Sequence, residues 1–375
     1  MIIKNGKIVT SRGAARADIL IENGKIKKIA RAISGDNDEI FDARGLHIFP
    51  GLVDAHVHFR DPGATHKEDF YTGTAAALAG GVTTIIDMPN YHPPTTNLRN
   101  YNEKRKIARE KAVCDYSLRF GASESNFDEV EKAHPRSLKI FTCETGSELR
   151  ILALKNILAH FRNFDARKPI CIHCEDQHLM DVLARKHTAD SVEMHNRIRS
   201  PLCAALALSK ILFLAHRAPR KIHICHVSTG GELALLRSRG KNVTCEVTPH
   251  HLFLSEEDLK KLGNFGKTNP PLRAKKDQAA LWHHLHMIDI VASDHAPHTR
   301  EEKEKNYRAA PSGVPGVETT LPLLLDAANK KRMTLARIVQ MTSSNPARIF
   351  NLKSKGALAA GKDADLVLVD LKKSR

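Results

Sequence analysis

The sequence predicts an α/β fold: a (β/α)8 TIM-like barrel joined to a small β-sandwich domain formed from both termini. Strand patterns alternate with helical patterns through the middle of the chain, and eight such units in series predict a closed parallel barrel. The two ends of the chain contain only short β patterns. We therefore expect a composite β domain from residues 1–49 and 352–375, and a barrel from residues 50–351.

The first 45 residues are predicted to form short strands with tight turns. Two segments, residues 2–9 and 19–26, place Asn5-Gly6 and Asn23-Gly24 between alternating apolar residues. Asn-Gly favours the positive backbone angles of a type I′ turn, so both segments are predicted to be hairpins. Another β run, Leu366 to Val369, lies near the C-terminus. These patterns indicate one sheet domain assembled from the two ends.

The middle of the chain contains eight short apolar segments that are predicted to be strands. They cover residues 52–58, 82–89, 115–122, 137–142, 169–175, 221–228, 243–249 and 289–295. Helical patterns separate them at residues 66–79, 98–111, 147–162, 195–216 and 231–239. A doubly wound open sheet is the alternative, but no Gly-x-Gly-x-x-Gly follows a strand to indicate a dinucleotide site.

The composition is that of a globular protein, with 42% hydrophobic and 27% charged residues among 375. The N-terminus lacks the apolar core of a signal peptide, and no continuous apolar stretch approaches the ~20 residues of a membrane span. The seven cysteines have no spacing typical of a disulfide framework. We therefore expect reduced thiols, a cytoplasmic location and no membrane association.

The net charge of +16 raises the question of nucleic-acid binding. The basic residues are scattered, and the aromatic residues, only 5% of the chain, do not interleave with them as a stacking surface would. Solvated basic faces explain the charge better, and the overall positive field would attract an anionic metabolite. We expect a small-molecule substrate and no nucleic-acid partner.

The most informative motif is His56-Val57-His58, at the end of the first predicted barrel strand. Residues two apart on a strand project from the same face, so both imidazoles can reach one point. Polar residues also end the later strands: Asn90, Lys139, His173, His226, Glu246 and Asp294. The strand ends of a βα barrel converge on one mouth, and this set of side chains suits a metal site there.

Each of these residues also has a simpler explanation when it is considered alone. His173 and His226 could be satisfied core histidines, and Asp294 could cap a helix. The recurrence at so many strand ends favours a shared site. Cys171 and Cys174 form a Cys-x-x-Cys pair, but without a second pair they are interpreted as strand residues.

Lys139 lies inside the apolar strand segment 137–141, where an ammonium group is costly unless it is paired or neutralised. A neutral buried amine can react with carbon dioxide to give a carbamate, an anion whose two oxygens can bridge two cations. Alternatively, the stem of Lys139 lies along the barrel while its head reaches water. The pattern alone leaves both interpretations open.

Two segments resemble the dihydroorotases of the amidohydrolase superfamily, namely residues 54–63, with the His-Val-His-Phe-Arg motif, and residues 292–303, with the Ser-Asp-His-Ala-Pro-His motif. Supporting matches lie at residues 68–70, 79–84, 87–90, 137–141, 245–251, 269–273 and 314–319. The resemblance runs from about Ile2 to Val369. The middle of the chain looks closest to the dihydroorotase domain of animal multienzyme proteins.

The resemblance implies a hydrolase acting on cyclic amide C–N bonds, which reversibly cyclises N-carbamoyl-L-aspartate to L-dihydroorotate in de novo pyrimidine (UMP) biosynthesis. It implies two zinc ions per subunit and carbon dioxide bound as the N6-carboxylation of Lys139. The implied metal ligands are His56, His58, Asp294 and Lys139 for one ion, and Lys139, His173 and His226 for the other. Asp294 would also be the catalytic base and then acid. The implied substrate contacts are Arg60, Asn90, Thr145, Asn269, His298 and Gly316.

Some implications are left open. In the animal-type domain a cysteine and a glutamate hold a further zinc ion, and Cys225 and Glu246 match their positions. That domain places Thr-Phe over the substrate on a mobile loop, where this chain has Thr145-Gly146 and so lacks the aromatic part of the lid. Many free-standing bacterial relatives use aspartate as the bridging ligand, so the assignment of Lys139 rests on the animal-type match. The resemblance also implies a homodimer and raises association with aspartate transcarbamoylase.

Two other functions are compatible with parts of the pattern. A hydantoinase- or allantoinase-like cyclic amidase would use the same metals but need not bind a ring carboxylate, and Arg60, Asn90 and His298 argue against it. A non-catalytic dihydroorotase-like partner of aspartate transcarbamoylase would be expected to lose metal ligands, whereas this chain keeps them.

Overall fold

The computed structural model describes residues 1–35, 39–146, 149–188 and 190–373. Seven short strands precede the barrel, and all of them lie in the small domain. They are β1 (Ile2–Lys4), β2 (Lys7–Thr10), β3 (Gly13–Arg16), β4 (Asp18–Glu22), β5 (Lys25–Ala30), β6 (Ile40–Asp42) and β7 (His47–Pro50).

The barrel contains every strand region that the sequence predicts. Its strands are β8 (Leu52–Val57), β9 (Val82–Asp87), β10 (Asp115–Leu118), β11 (Phe120–Gly121), β12 (Leu138–Phe141), β13 (Ile170–His173), β14 (Ile222–Ile224), β15 (Val243–Val247) and β16 (Ile290–Val291). The third barrel position is divided, because β10 pairs with β9 and β11 pairs with β12. All pairs among these strands are parallel. The amide of His58 donates to the carbonyl of His295 at 2.7 Å and closes the ring.

The helices cover the barrel and connect its strands. They are α1 (Phe70–Ala79), α2 (Leu98–Lys111), α3 (Phe127–Ala133), α4 (Leu154–Asn163), α5 (Gln177–Lys186), α6 (Val192–Ile198), α7 (Pro201–Arg217), α8 (Gly230–Leu236), α9 (Pro249–Phe253), α10 (Leu259–Leu262), α11 (Lys275–His283), α12 (Arg300–Glu304), α13 (Thr320–Asn329), α14 (Leu335–Val339) and α15 (Asn345–Ile349). Three 3-10 turns lie at Glu256–Asp258, Gly263–Gly266 and Leu285–Met287, and a π-helical turn lies at Gln340–Ser344.

Four predicted helices have different bounds, and the one expected at 231–239 lies at Gly230–Leu236. The first begins at Phe70 rather than residue 66, because Asp69 caps it and accepts from the amide of Thr72. The helix expected at 147–162 begins at Leu154, and residues 147 and 148 lie outside the described residues. The segment 195–216 is divided into α6 and α7, because Pro201 has no amide proton and fits the first turn of a new helix.

The segment Val192–Arg217, which contains α6 and α7, is long and apolar enough to cross a membrane by length and composition, with mean hydropathy 1.6. One face of α7 is buried in the protein core through Leu208, Ile211 and Leu214. This packing is what a covering helix of a barrel requires, since such a helix must bury one face against the strands.

The small domain is a sandwich of two four-stranded sheets, as predicted. β17 (Leu366–Val369) pairs antiparallel with β7, so both ends of the chain contribute to it. One sheet has the order β5-β4-β1-β6 and the other β17-β7-β2-β3. Buried apolar side chains form its core, including Ile3, Ile8, Ile19, Ile26 and Ile48. The exact domain boundaries at residues 49 and 352 stay predictions.

One of the two predicted hairpins is wrong. Asn23 and Gly24 have φ of 52° and 71° and form the expected turn between β4 and β5. Asn5-Gly6 instead takes the chain from one sheet to the other, because β1 pairs with β4 and β6 while β2 pairs with β3 and β7. At Gly6 a Cβ atom would lie 2.3 Å from Ile48 Cδ1, so glycine is needed there for close packing.

A buried histidine makes the fold sensitive to acid. Burial, followed by the charge of Arg199, lowers the pKa of His195 in α6 from 6.5 to about 3. The unfolded chain therefore binds this proton first, so the stabilisation is complete above pH ~6.5 and is lost as the pH falls. We expect His195 to account for roughly 2 kcal/mol of the loss in unfolding free energy between pH 7 and pH 5.

Urea unfolding of the wild type and His195→Gln at both pH values measures this contribution. The variant should lose less stability on acidification, because its side chain does not titrate. Substitution of the exposed His283 by glutamine is the matched control. Equal pH dependence of wild type and His195→Gln would contradict the assignment.

Candidate functional site

The C-terminal ends of the barrel strands line a cleft of about 500 Å³. The structure brings together nine of the residues singled out in the sequence on its walls: His56, His58, Arg60, Asn90, Thr145, His173, His226, Asn269 and Asp294. Lys139, Cys225 and Glu246 are buried near these residues and do not line the cleft. His298 and Gly316 also lie outside the cleft wall, although His298 contacts Arg60.

Four histidines form a continuous group at the base of the cleft. Ring centroids are 5.3 Å apart for His56 and His58, 5.5 Å for His56 and His226, and 4.5 Å for His173 and His226. Oδ1 of Asp294 lies 3.1 Å from Nε2 of His56 and 3.2 Å from Nε2 of His58. Donor atoms of His56, His226 and Asp294 all lie within 4.8 Å of one another, which suits a shared metal ion.

The electrostatics of this group favour neutral imidazoles, the form that binds metal. Burial lowers the pKa of His56 to about 4, although Asp294 and Glu246 oppose the shift. Burial likewise lowers the pKa of His58, His173 and His226. Burial raises the pKa of the Asp294 carboxyl, while the charges of His56 and Lys139 oppose that change.

Lys139 is fully buried, so the alternative in which its head reaches water is wrong. Its Nζ donates to Sγ of Cys225 at 3.0 Å and lies 4.7 Å from the centre of the Phe141 ring. No ion pair joins Lys139 to a carboxylate in the described residues. A buried cation without a counter-ion is costly, so this position suits a lysine that is chemically converted to an anion.

Glu246 orients the ring of His56. It is fully buried, contacts Nδ1 of His56, and accepts from Nε2 of His223 at 2.9 Å. This contact leaves Nε2 of His56 facing Asp294. Donor atoms of His56, Cys225 and Glu246 also lie within 4.8 Å of one another, so the same residues could hold a further ion.

Sequence reasoning missed a second carboxylate that orients a histidine. Nε2 of His173 lies 2.8 Å from Oε2 of Glu175, and Arg199 donates to the same oxygen at 2.6 and 3.1 Å. Burial alone would raise the pKa of Glu175, but Arg199 and His173 hold it below its ordinary value. Arg199 also donates to the carbonyl of Glu144, next to Thr145. The His-x-Glu spacing was the available signal, because both side chains project from one face of a strand.

Another part of the cleft wall is built around Arg60, which has a positive φ of 62°. Its Nε donates to the carbonyl of Pro297 at 3.1 Å, and its Nη2 lies 3.1 Å from Nε2 of His298. The other ring nitrogen of His298 accepts from Nζ of Lys67 at 3.0 Å. Arg60 therefore brings a positive charge to the cleft, whereas Lys67 behind His298 is paired with Glu302 at 3.1 Å.

Several polar atoms of cleft-lining residues are shielded from solvent yet lack a hydrogen-bond partner among the described residues. They are Oδ1 of Asn90, Oγ1 of Thr145 and Nε2 of His250. His250 and Thr268, which also line the cleft, had no distinguishing sequence signal. Unpaired polar atoms on a cleft wall suit a polar ligand, because a buried unpaired group is otherwise unfavourable.

A buried ion pair supports this wall from behind. Asp87 accepts from the amide of Phe59 at 3.1 Å and from the hydroxyl of Tyr91 at 2.5 Å, and it pairs with Lys104. Lys104 is fully buried in α2 and donates to the carbonyl of Met88 at 2.6 Å. The pair therefore joins the segment that precedes Arg60 to the segment that carries Asn90.

Comparisons with known proteins agree with this architecture. Residues 47–375 match the model of the amidohydrolase family. An L-hydantoinase (dihydropyrimidinase) from Arthrobacter aurescens has a similar structure, with a TM-score of 0.94 and 30% identity over 97% of this chain and 85% of that chain. A D-hydantoinase structure has a TM-score of 0.90 and 29% identity over 98% and 86%.

Sequence identity is higher to dihydroorotases. That of Methanosarcina acetivorans is 41% identical over 98% of this chain and 83% of its own length, and that of Bacillus cytotoxicus is 37% identical over 99% and 88%. The multifunctional protein CAD of Squalus acanthias is 40% identical over 81% of this chain, which corresponds to 12% of that protein. The chain therefore belongs to the amidohydrolase family and, within it, to the dihydroorotases.

Proposed function

We propose that this chain reversibly cyclises N-carbamoyl-L-aspartate to L-dihydroorotate at a centre of two zinc ions. One observation carries the proposal: a single cleft is lined both by neutral buried histidines with Asp294 and by Arg60 with Asn90. The first group suits a divalent metal, and the second suits a substrate carboxylate. Both are required to bind this substrate and act on it.

The residues present fit two metal ions. His56, His58, Asp294 and Lys139 would hold one ion, and Lys139, His173 and His226 would hold the other. A carbamate on Lys139 would carry a negative charge that two metal ions would stabilise. A lysine converted in this way would need no carboxylate partner, and no ion pair joins Lys139 to a carboxylate in the described residues. When bound, the ions would polarise the amide carbonyl and lower the pKa of water.

Asp294 would move the proton. In hydrolysis its carboxylate accepts a proton from the attacking water and delivers it to the departing ring nitrogen. In cyclisation it removes a proton from the ureido nitrogen of N-carbamoyl-L-aspartate. Burial, which raises the pKa of this carboxyl, brings it closer to the range in which an acid–base group both accepts and donates.

Arg60 and its neighbours would hold the substrate carboxylate that does not react. The planar fork of Arg60 can donate two hydrogen bonds to a carboxylate, and Asn90 and His298 would add further donors. Thr145, Asn269 and Gly316 complete the proposed substrate contacts. Asn269 is held by His195, whose Nε2 lies 2.9 Å from Oδ1 of Asn269.

A second candidate function is that of a hydantoinase, an amidase for rings without this carboxylate. The structural likeness to hydantoinases favours it. Two observations favour dihydroorotase. The chain is 41% identical to a dihydroorotase against 30% to an L-hydantoinase, and Arg60 lines the cleft. A non-catalytic role has less support, because every proposed metal ligand is present.

We also propose a cytoplasmic homodimer. All seven cysteines are free, which agrees with a reducing compartment. Association with aspartate transcarbamoylase is a further hypothesis raised by the similarity to a multifunctional protein. Size-exclusion chromatography with light scattering, with and without that enzyme, tests both.

The carbamate predicts a specific response to substitution of Lys139. Lys139→Ala should lose most ring-closing activity and part of its zinc, because the bridging anion is gone. Formate or acetate should restore some activity by supplying a carboxylate to the same space. Coupled activity assays and metal analysis, with bicarbonate present during zinc loading, measure these effects, and exposed Lys241→Ala is the matched control. Full zinc and full activity in Lys139→Ala would assign the bridge to another residue.

The proposed carboxylate site predicts a selective effect at Arg60. Arg60→Gln should lower kcat/KM for dihydroorotate by roughly 10²–10³-fold, because a buried charge pair is lost. Any slow hydrolysis of dihydrouracil, which lacks the carboxylate, should change little. A wild type that prefers hydantoin or dihydrouracil to dihydroorotate would instead support the hydantoinase function.

A third metal site would change the number of zinc ions bound per chain. If Cys225 and Glu246 hold a third ion, wild type should contain three zinc ions per chain, and Cys225→Ser should contain two. Elemental analysis after removal of loosely bound metal gives the count. Two ions in both proteins would leave Glu246 only as the group that orients His56.

A further inference from the structure

His295 follows Asp294 in sequence but has its own set of contacts. It is buried with 3% of its surface exposed, and it is not among the proposed metal ligands or substrate contacts. Nε2 of its ring lies 2.8 Å from Oε2 of Glu68. Its Nδ1 accepts from the amides of Gly316 at 3.1 Å and Val317 at 3.3 Å. Because backbone amides only donate, the ring proton must be on Nε2, which donates it to Glu68.

The backbone of His295 joins the same parts of the molecule. Its carbonyl accepts from the amide of His58, and it forms parallel bridges with Val57 and Val314. The next amide, that of Ala296, donates to the carbonyl of Val314 at 3.0 Å. One residue therefore connects the end of β8, the segment after β16, and the loop of residues 312–317, part of which lines the cleft.

Glu68 is held against this ring by close packing. Phe59 contacts His295 edge-on, with ring centroids 5.7 Å apart. A Cβ atom at Gly73 would lie 2.8 Å from Oε2 of Glu68 and 2.5 Å from Phe59. Glycine at position 73 therefore leaves the space that Glu68 and Phe59 occupy beside the imidazole.

We propose that Glu68 and His295 are a pair of positioning residues for Asp294 and for the loop of residues 312–317. Asp294 has a positive φ of 49°, a conformation that a non-glycine residue keeps only when its neighbours enforce it. The hydrogen bonds of His295 immobilise the residue that follows Asp294, and they fix the loop through two amides. The effect on catalysis rests on the proposed function, whereas the structural effect does not.

Two substitutions at His295 separate its contact with the loop of residues 312–317 from its contact with Glu68. His295→Asn keeps an acceptor near the position of Nδ1, so it can hold the loop but cannot reach Glu68. His295→Gln reaches towards Glu68 but offers no acceptor near Nδ1. At Glu68, alanine removes the acceptor, whereas Glu68→Gln retains a carbonyl oxygen that can accept from Nε2. Exposed Glu301→Ala is the matched control.

The first readout does not depend on activity. Hydrogen exchange measured by mass spectrometry should show faster exchange for peptides that cover residues 312–319 in Glu68→Ala and His295→Gln. Glu68→Gln and Glu301→Ala should match the wild type in these peptides. Long-range ¹H–¹⁵N NMR spectra of the histidine side chains, assigned with His295→Asn, should show a proton on Nε2 and none on Nδ1.

The second readout is kinetic. Glu68→Ala should lower kcat for ring closure by roughly 10–100-fold with a smaller change in KM and unchanged zinc content, and Glu68→Gln should recover most of it. Because the residues act through one another, the double variant Glu68→Ala/His295→Asn should be little worse than the poorer single variant. A proton on Nδ1, additive effects, or unchanged kcat in Glu68→Ala would overturn the proposal. If the wild type fails to close the ring, the proposed function fails, and hydrogen exchange still tests the positioning pair.

Discussion

The candidate site depends on closure of the barrel between its first and last strands. His56 and His58 end β8, whereas Asp294 follows β16, and the hydrogen bond from the His58 amide to the His295 carbonyl joins these two ends. Without this closure the histidine pair and the carboxylate would belong to opposite edges of an open sheet. Parallel pairing then sets how far each of the other strands extends towards the cleft, so that the rings of His173 and His226 lie next to each other. The chemistry is thus a consequence of a ring of backbone hydrogen bonds.

Burial of so many polar groups is unfavourable unless each has a partner or a neutral form. The structure uses both solutions. Glu246 and Glu175 are carboxylates paired with histidine and arginine donors, whereas the imidazoles that face the cleft are neutral. Lys139 is the exception, since among the described residues it donates to the weakly polar Cys225 thiol and lies over the Phe141 ring but forms no ion pair. An ion bound among these groups would resolve the remaining imbalance, which explains why the polar residues concentrate at one end of the barrel.

The sequence was sufficient for the barrel strands and for most of the cleft wall. Apolar runs bounded by turn residues identify the strands, and the helical pattern predicted the bounds of α2, Leu98–Lys111, which Asn97 caps in the structure. Local patterns could not reveal which sheet a strand joins, so Asn5-Gly6 was assigned to a hairpin that does not form. They also could not reveal Arg199, because it acts through Glu175, which lies 24 residues earlier in the sequence. Contacts between distant segments decide such positions, and one sequence contains no direct record of them.

Pairing of β7 with β17 has a consequence for synthesis of the protein. Ile48 lies opposite Leu368, so β7 cannot complete its pairing until a strand much later in the sequence has been synthesised. Until then β7 has an unpaired edge, and the apolar face that packs in the sandwich is incomplete. Contacts of such long sequence separation form slowly and leave aggregation-prone surface exposed in the nascent chain. The sandwich is therefore completed only after the barrel residues between β7 and β17 have been synthesised.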